Sequence, residues 1–159
     1  GLFYGATDTT FSPEATLTRG QLVAVLYRMA GAPAVDVELT FEDVKADAYY
    51  ADAIAWAFEN KIAYGMNDTT FAPDAPVTRE QLAAFVARYA MFTGVYEETN
   101  ANLGAFTDAG DVTAYAEPYM NWAVANGIVS GYTNGKLMPA ANATRAQAAT
   151  MILRYFLAF

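Results

Sequence analysis

Apolar residues return at i, i+3, i+4 and i+7 in three separate stretches: Leu22, Val25, Leu26 and Met29; Leu82, Phe85, Val86 and Tyr89; and Ala148, Met151, Ile152 and Tyr155. That period lays a stripe along one face of a helix, so three amphipathic helices are predicted. Two further stretches carry a helical period. Tyr50, Ile54 and Phe58 recur every four residues beside Ala53 and Ala57, and Tyr119, Trp122, Ala123 and Asn126 share the spacing. Gly127 stands where a left-handed residue ends the second of these. Units this short cannot bury their own apolar stripes, so they must pack on one another. An all-α fold of helix-loop-helix units is expected.

The units are copies of one another. Gly5 to Pro13 with Leu17-Thr18-Arg19, Gly65 to Pro73 with Val77-Thr78-Arg79, and Gly131 to Pro139 with Ala143-Thr144-Arg145 align in order. The arginines lie 79 − 19 = 60 and 145 − 79 = 66 residues apart, and Trp56 and Trp122 repeat the offset of 66. Phe41-Glu-Asp43 and Phe106-Thr-Asp108 open the second and third units. Turn-rich or polar joints, Gly31 to Asp36 and Thr93 to Asn102, divide the chain into repeats at 1–35, 36–95 and 104–159. Gly1 aligns with Lys61 and Gly127, which follow the first helix of the later units. A first repeat lacking its first helix is therefore expected.

Thr18-Arg-Gly-Gln21, Thr78-Arg-Glu-Gln81 and Thr144-Arg-Ala-Gln147 each spell a capping box, in which Thr and Gln satisfy each other's backbone amides. Leu17 with Leu22, Val77 with Leu82 and Ala143 with Ala148 supply the hydrophobic staple. The arginine inside each box is less easily explained. At N1 it faces the positive end of the helix dipole, which disfavours a cation by roughly 0.3–1 kcal/mol. A helix mouth with free amides and a guanidinium is a good anion site, and the guanidinium fork can grip a carboxylate at two points. Arg19, Arg79 and Arg145 are thus candidate ligand contacts, with pairing to a neighbouring carboxylate as the structural alternative. Arg28, Arg88 and Arg154 keep the same offsets near helix C-termini, where a cation suits the dipole, and read as structural.

Composition narrows the chemistry. A net charge of −8 with nine Lys and Arg excludes a nucleic-acid-binding face. The absence of Cys and His removes the familiar zinc sites and Cys or His nucleophile systems, and no cofactor is called for. The most apolar run, Met151 to Phe159, is short and broken by Arg154, so no membrane insertion is expected. Asp8, Asp68 and Asn134 suit Asx turns; an EF-hand would need a regular oxygen series and a distal Glu. Asp43, Asp47 and Asp52 suit helix-start and solvated positions, and no pair faces a substrate platform, so no enzyme is expected. Trp56 and Trp122 are either core residues or sugar platforms that bury a face and offer an N–H.

The order Phe41-Glu-Asp43-Val44, Trp56, Gly65-Met-Asn-Asp68-Thr-Thr-Phe71-Ala-Pro73, Thr78-Arg79-Glu-Gln81 resembles the S-layer homology family. The third unit matches with one inserted residue after Asp108, and the first from its loop onward. The resemblance implies three repeats in a pseudo-threefold helical bundle with projecting prongs, whose grooves bind a secondary cell-wall polysaccharide, often with pyruvylated amino sugars. It implies an extracellular, cell-surface location, and brings the Arg of each capping box to the pyruvyl carboxylate. The candidate ligand-binding set is Arg19, Arg79 and Arg145 with Thr18, Thr78 and Thr144, Trp56 and Trp122, Asp43 and Asp108, and Gly65 and Gly131; no metal ligand is among them. Gln21, Gln81 and Gln147 depart from the family's Glu, and Tyr49-Tyr50 and Tyr115-Ala116 stand near its usual His-Trp. The alternative function is a protein–protein assembly module with self-association.

Overall fold

The structure, a computed structural model, describes residues 1–5, 10–99 and 101–159; the Asx turn expected at Asp8 lies outside them. Among the described residues there are five α-helices: α1 (Arg19–Met29), α2 (Ala51–Glu59), α3 (Arg79–Thr93), α4 (Glu117–Ala125) and α5 (Arg145–Ala158). Two short 3-10 turns, Leu103–Ala105 and Ala109–Asp111, precede α4, and the described residues form no sheet. The all-α expectation is met.

All three capping boxes form. The Thr18, Thr78 and Thr144 side chains accept from the amides of Gln21, Gln81 and Gln147, whose own side chains accept from the threonine amides. The staple residues Leu17, Leu22, Val77, Leu82, Ala143 and Ala148 are all fully buried. Of the twelve positions in the three apolar stripes, Met29 alone is not fully buried. Gly127 takes the left-handed conformation that ends α4 (φ 68°), and Lys61 takes it after α2 (φ 59°).

The repeats close into a ring. The residues just before the capping threonines hydrogen-bond in a cycle: Leu17 N–H donates to Ala143 O (3.0 Å), Ala143 N–H to Val77 O (2.8 Å), and Val77 N–H to Leu17 O (2.9 Å). Each repeat then receives the next one's loop at the start of its second helix. The Arg19 and Gly20 amides donate to Ala75 O and Pro73 O, those of Arg79 and Glu80 to Ala141 O and Pro139 O, and those of Arg145 and Ala146 to Ala15 O and Pro13 O. A buried amide without a partner costs free energy comparable to a lost hydrogen bond. The ring therefore satisfies in each repeat what a single repeat leaves open, and this makes the units interdependent.

The first helices cover the second: α2 packs on α1 and α4 on α3. Trp56 (3% exposed) sits among Tyr27, Tyr89 and Phe92, and Trp122 (0%) lies stacked between Tyr96 and Phe159. The matching face of α5 shows Leu153, Phe156 and Leu157 to solvent.

Candidate functional site

Three grooves repeat around the ring, each lined by two arginines. One holds Arg19 and Arg88 with Tyr64, Gly65, Gln81 and Tyr115. A second holds Arg79 and Arg154 with Ser130, Gly131, Tyr132 and Gln147. The third holds Arg145 and Arg28 with Tyr4, Gly5, Gln21 and Tyr49. All six arginines of the chain are thus in grooves. The first arginine of each pair comes from one repeat, and the loop, glutamine and second arginine come from the next.

The N1 arginines are deep. Arg19, Arg79 and Arg145 are only 5%, 7% and 6% exposed. Their Nε–H groups donate to Phe71 O (2.9 Å), Leu137 O (2.8 Å) and Phe11 O (2.9 Å), and their Nη2 groups to Tyr64 O, Ser130 O and Tyr4 O. Each guanidinium therefore pins the loop of the following repeat. Aromatic rings lie beneath: Phe71 under Arg19 at 4.6 Å, Tyr132 under Arg79 at 4.7 Å and Phe11 under Arg145 at 4.8 Å. Burial pushes the Arg19 and Arg79 pKa down from its ordinary value; the second arginine of the groove adds to this, and Tyr115 with Asp43, or Tyr132 with Asp108, opposes it. A guanidinium remains charged throughout.

Two expectations need correcting here. The amides at the helix mouths are not free for an anion, because the capping box and the neighbouring loop carbonyls take them. Nor do the arginines form ion pairs among the described residues, although the Asp43 and Asp108 carboxylates act on Arg19 and Arg79 through space. Among the described residues their hydrogen bonds go to carbonyl and hydroxyl oxygens, which satisfy N–H donors without cancelling charge. With Nε and Nη2 engaged, Nη1 of each N1 guanidinium has no hydrogen-bond partner among the described residues.

Arg28, Arg88 and Arg154 are where sequence reasoning missed a site feature. Arg28 alone stands in the last turn of its helix; α3 and α5 run on past Arg88 and Arg154, so the dipole does not account for those two, and all three reach the grooves. One residue in each groove holds both arginines: the Tyr64 carbonyl accepts from Arg19 while its ring lies 4.8 Å from Arg88. Tyr4 serves Arg145 and, at 4.2 Å, Arg28 in the same way. In the remaining groove Ser130 O accepts from Arg79 and Ser130 Oγ accepts from Arg154 Nη1 at 3.0 Å. The repeat offsets of 60 and 66 could have paired these positions, but nothing in the sequence says that they meet.

The other candidates are structural in this geometry. Trp56 and Trp122 are core residues and line none of the grooves, so the sugar-platform reading fails on burial. Asp43 accepts from the Phe71 and Ala72 amides, and Asp108 from those of Leu137 and Met138, each at 2.7–2.8 Å. These bonds hold Ala72 (φ 57°) and Met138 (φ 52°) in the left-handed region, an arrangement that costs a non-glycine residue about 1–2 kcal/mol. Thr18, Thr78 and Thr144 are caps. Gly65 and Gly131 line their grooves because no side chain fits: a Cβ would stand 2.6 Å from the Phe41 ring and 2.4 Å from the Phe106 ring. The Asx turns of the loops use Asn67, rather than Asp68, and Asn134 as expected.

The S-layer homology domain family matches residues 1–23, 40–83 and 105–149, one segment in each repeat. The chain belongs to that family, and so to the repeat modules of the bacterial cell surface. Among its relatives, the surface-layer 125 kDa protein of Lysinibacillus sphaericus is 35% identical over 97% of this chain and 13% of its own length. An endoglucanase of Bacillus sp. (strain KSM-635) is 32% identical over 93% of this chain and 16% of its own. The cellulosome-anchoring protein of Acetivibrio thermocellus is 28% identical over 91% of this chain and 33% of its own. The chain thus spans from about an eighth to a third of the length of these relatives, and the endoglucanase shares with it a small part of itself. What surface-layer, anchoring and enzymatic relatives have in common is an attachment module. No helix among the described residues is long and apolar enough to cross a membrane.

Proposed function

We propose that this chain holds a larger protein on the bacterial cell wall by binding an anionic secondary wall polysaccharide in its three inter-repeat grooves, with Arg19, Arg79 and Arg145 at their floors. The observation that carries the reading is a pair of guanidiniums in each groove, held by neutral oxygens and aromatic faces. Gln21, Gln81 and Gln147 reinforce it. Each does the capping work of the family's Glu through its carbonyl, yet adds no negative charge to the groove wall. The departure from Glu therefore leaves the grooves cationic in a protein of net charge −8. Groove volumes of about 260 and 270 Å³ lie just below the range of small-molecule pockets and the third, about 590 Å³, lies within it, that range being about 300–1,000 Å³. They suit a terminal sugar residue with a carboxylate rather than a long stretch of polymer.

Long-range repulsion between an acidic chain and an anionic wall is screened beyond about 8 Å at physiological ionic strength, so the local guanidiniums decide the contact. Three related grooves on one rigid body add avidity to modest single-site affinity. Co-sedimentation tests the reading. The chain is expected to pellet with native walls and to remain in solution with walls stripped of their secondary polymer. Equal pelleting with both would assign binding to peptidoglycan and remove the polysaccharide.

A further inference from the structure

Glu80 is a buried acid that helix capping does not require. It is 6% exposed and stands second in α3, inside a box where Thr78 and Gln81 already do the capping. The first and third boxes hold Gly20 and Ala146 at that place. The Glu80 carboxylate reaches across to the stretch before α4: Oε2 accepts from the Thr113 amide at 3.0 Å and Oε1 from the Thr113 hydroxyl at 3.1 Å. Thr113 O accepts in turn from the Ala116 and Glu117 amides, which closes the turn leading into α4. Among the described residues, the bonds to Glu80 are the only hydrogen bonds that tie residues 113–116 to another repeat. Tyr115 lies inside this turn, between the gripped Thr113 and the fully buried Ala116, and lines the groove with Arg19 and Arg88. The junction of the first and second repeats is built differently. There the Tyr50 ring, aligned with Ala116, fills the space: a Cβ on Gly20 would stand 2.9 Å from it.

We propose that Glu80 is a positioning residue for the Arg19/Arg88 groove: its grip on Thr113 fixes the turn that sets Tyr115 in the groove wall, and so sets the affinity of that groove for an anionic ligand. The inference rests on the anionic-ligand reading above. Glu80 lines none of the three grooves, and its negative charge by itself opposes an anion. Its benefit is therefore geometric. A tyrosine held in one place offers a ring face and a hydroxyl beside the guanidinium pair with little left to order on binding. Burial raises the Tyr115 pKa, as does Glu80, while Arg88 and Arg19 oppose this, so the hydroxyl feels both guanidiniums.

The side-chain Nε–H signals of Arg19 and Arg88 in an ¹H–¹⁵N spectrum report on this groove, and those of Arg145 and Arg28 on its neighbour. The probe is methyl glucuronide, a carboxylate on a sugar ring. Glu80→Gln removes the charge but keeps both bonds, since an amide can accept from the Thr113 N–H and donate to its hydroxyl. Glu80→Ala removes charge and bonds together. Ala146 shows that alanine suits this helix position, and Thr113 is exposed, so its freed amide turns to water. At Arg19 and Arg88, Glu80→Ala is expected to need about fivefold more probe than Glu80→Gln; at Arg145 and Arg28 the two should agree within about twofold. With Tyr115→Ala added to each, the gap is expected to close to within about twofold, because the effect passes through the tyrosine. Without probe, the Arg19 and Arg88 signals of Glu80→Ala are expected to move towards those of Tyr115→Ala. Equal responses of the two Glu80 variants, or a gap that survives Tyr115→Ala, overturns the positioning role and leaves anion binding standing. Silence of all four wild-type signals to the probe overturns the anionic-ligand reading and with it the effect on affinity. The probe-free shifts then judge the positioning alone, and unmoved signals overturn it.

Discussion

Arg79→Ala is expected to lower stability by about 2–4 kcal/mol, because two charge-assisted hydrogen bonds disappear and the buried Leu137 carbonyl is left without its donor. The guanidinium donates to Leu137 O and Ser130 O from a site 7% exposed, and these bonds tie the second repeat to the loop of the third. In a chain of 159 residues a loss of that size lowers the melting temperature by roughly 10 °C. Arg88→Ala is the control. Arg88 is half-buried and its bond to the Tyr119 hydroxyl is long, at 3.4 Å, so its loss should cost under about 1 kcal/mol. Thermal melting of the two variants checks both numbers; an Arg79→Ala melt within about 3 °C of wild type would remove the inter-repeat role of the guanidinium. The arginine is at once a structural clamp and a groove floor, so lost wall binding by Arg79→Ala is informative only beside that melt.

Asp108→Ala is expected to be less damaging, by about 1–2 kcal/mol, since it removes the acceptor of the Leu137 amide and of the Met138 amide, the second of which is exposed and can turn to water. Burial alone would raise the Asp108 carboxyl, but those two amides hold it below its ordinary value of 3.8. The sign follows from linkage. A carboxyl depressed in the folded state contributes stability that is fully present above the unfolded value and is lost as the pH falls through the folded one. Wild-type stability should therefore drop as the pH falls below about 4, and Asp108→Ala should lose the share of that drop that this group supplies. Denaturant unfolding between neutral and acid pH measures it; identical pH profiles for the two proteins would contradict the assignment.

Local devices were legible in the sequence. The capping boxes, the staples and the left-handed Gly127 are set by residues within a turn or two of one another, and each formed where its pattern stands. Repetition made the pseudo-symmetry visible as well. What remained hidden was every contact between repeats. The amides of Arg19 and Gly20 read as free at a helix mouth because their partners, Ala75 and Pro73, lie more than fifty residues away. The second arginines read as dipole partners because that explanation asks for nothing beyond the helix itself, although α3 and α5 run on past two of them. Trp56 and Trp122 kept two readings open until burial closed one, since an indole on a helix face looks the same from the sequence in either role.

Neutralising the wall rather than mutating the protein tests the central claim without disturbing the fold. Native walls whose carboxylates have been amidated are compared with untreated walls in co-sedimentation with the wild-type chain. Retention of the chain on untreated walls and its release from amidated ones is the predicted result. Undiminished binding to amidated walls would contradict the assignment of the arginine pairs to a carboxylate ligand.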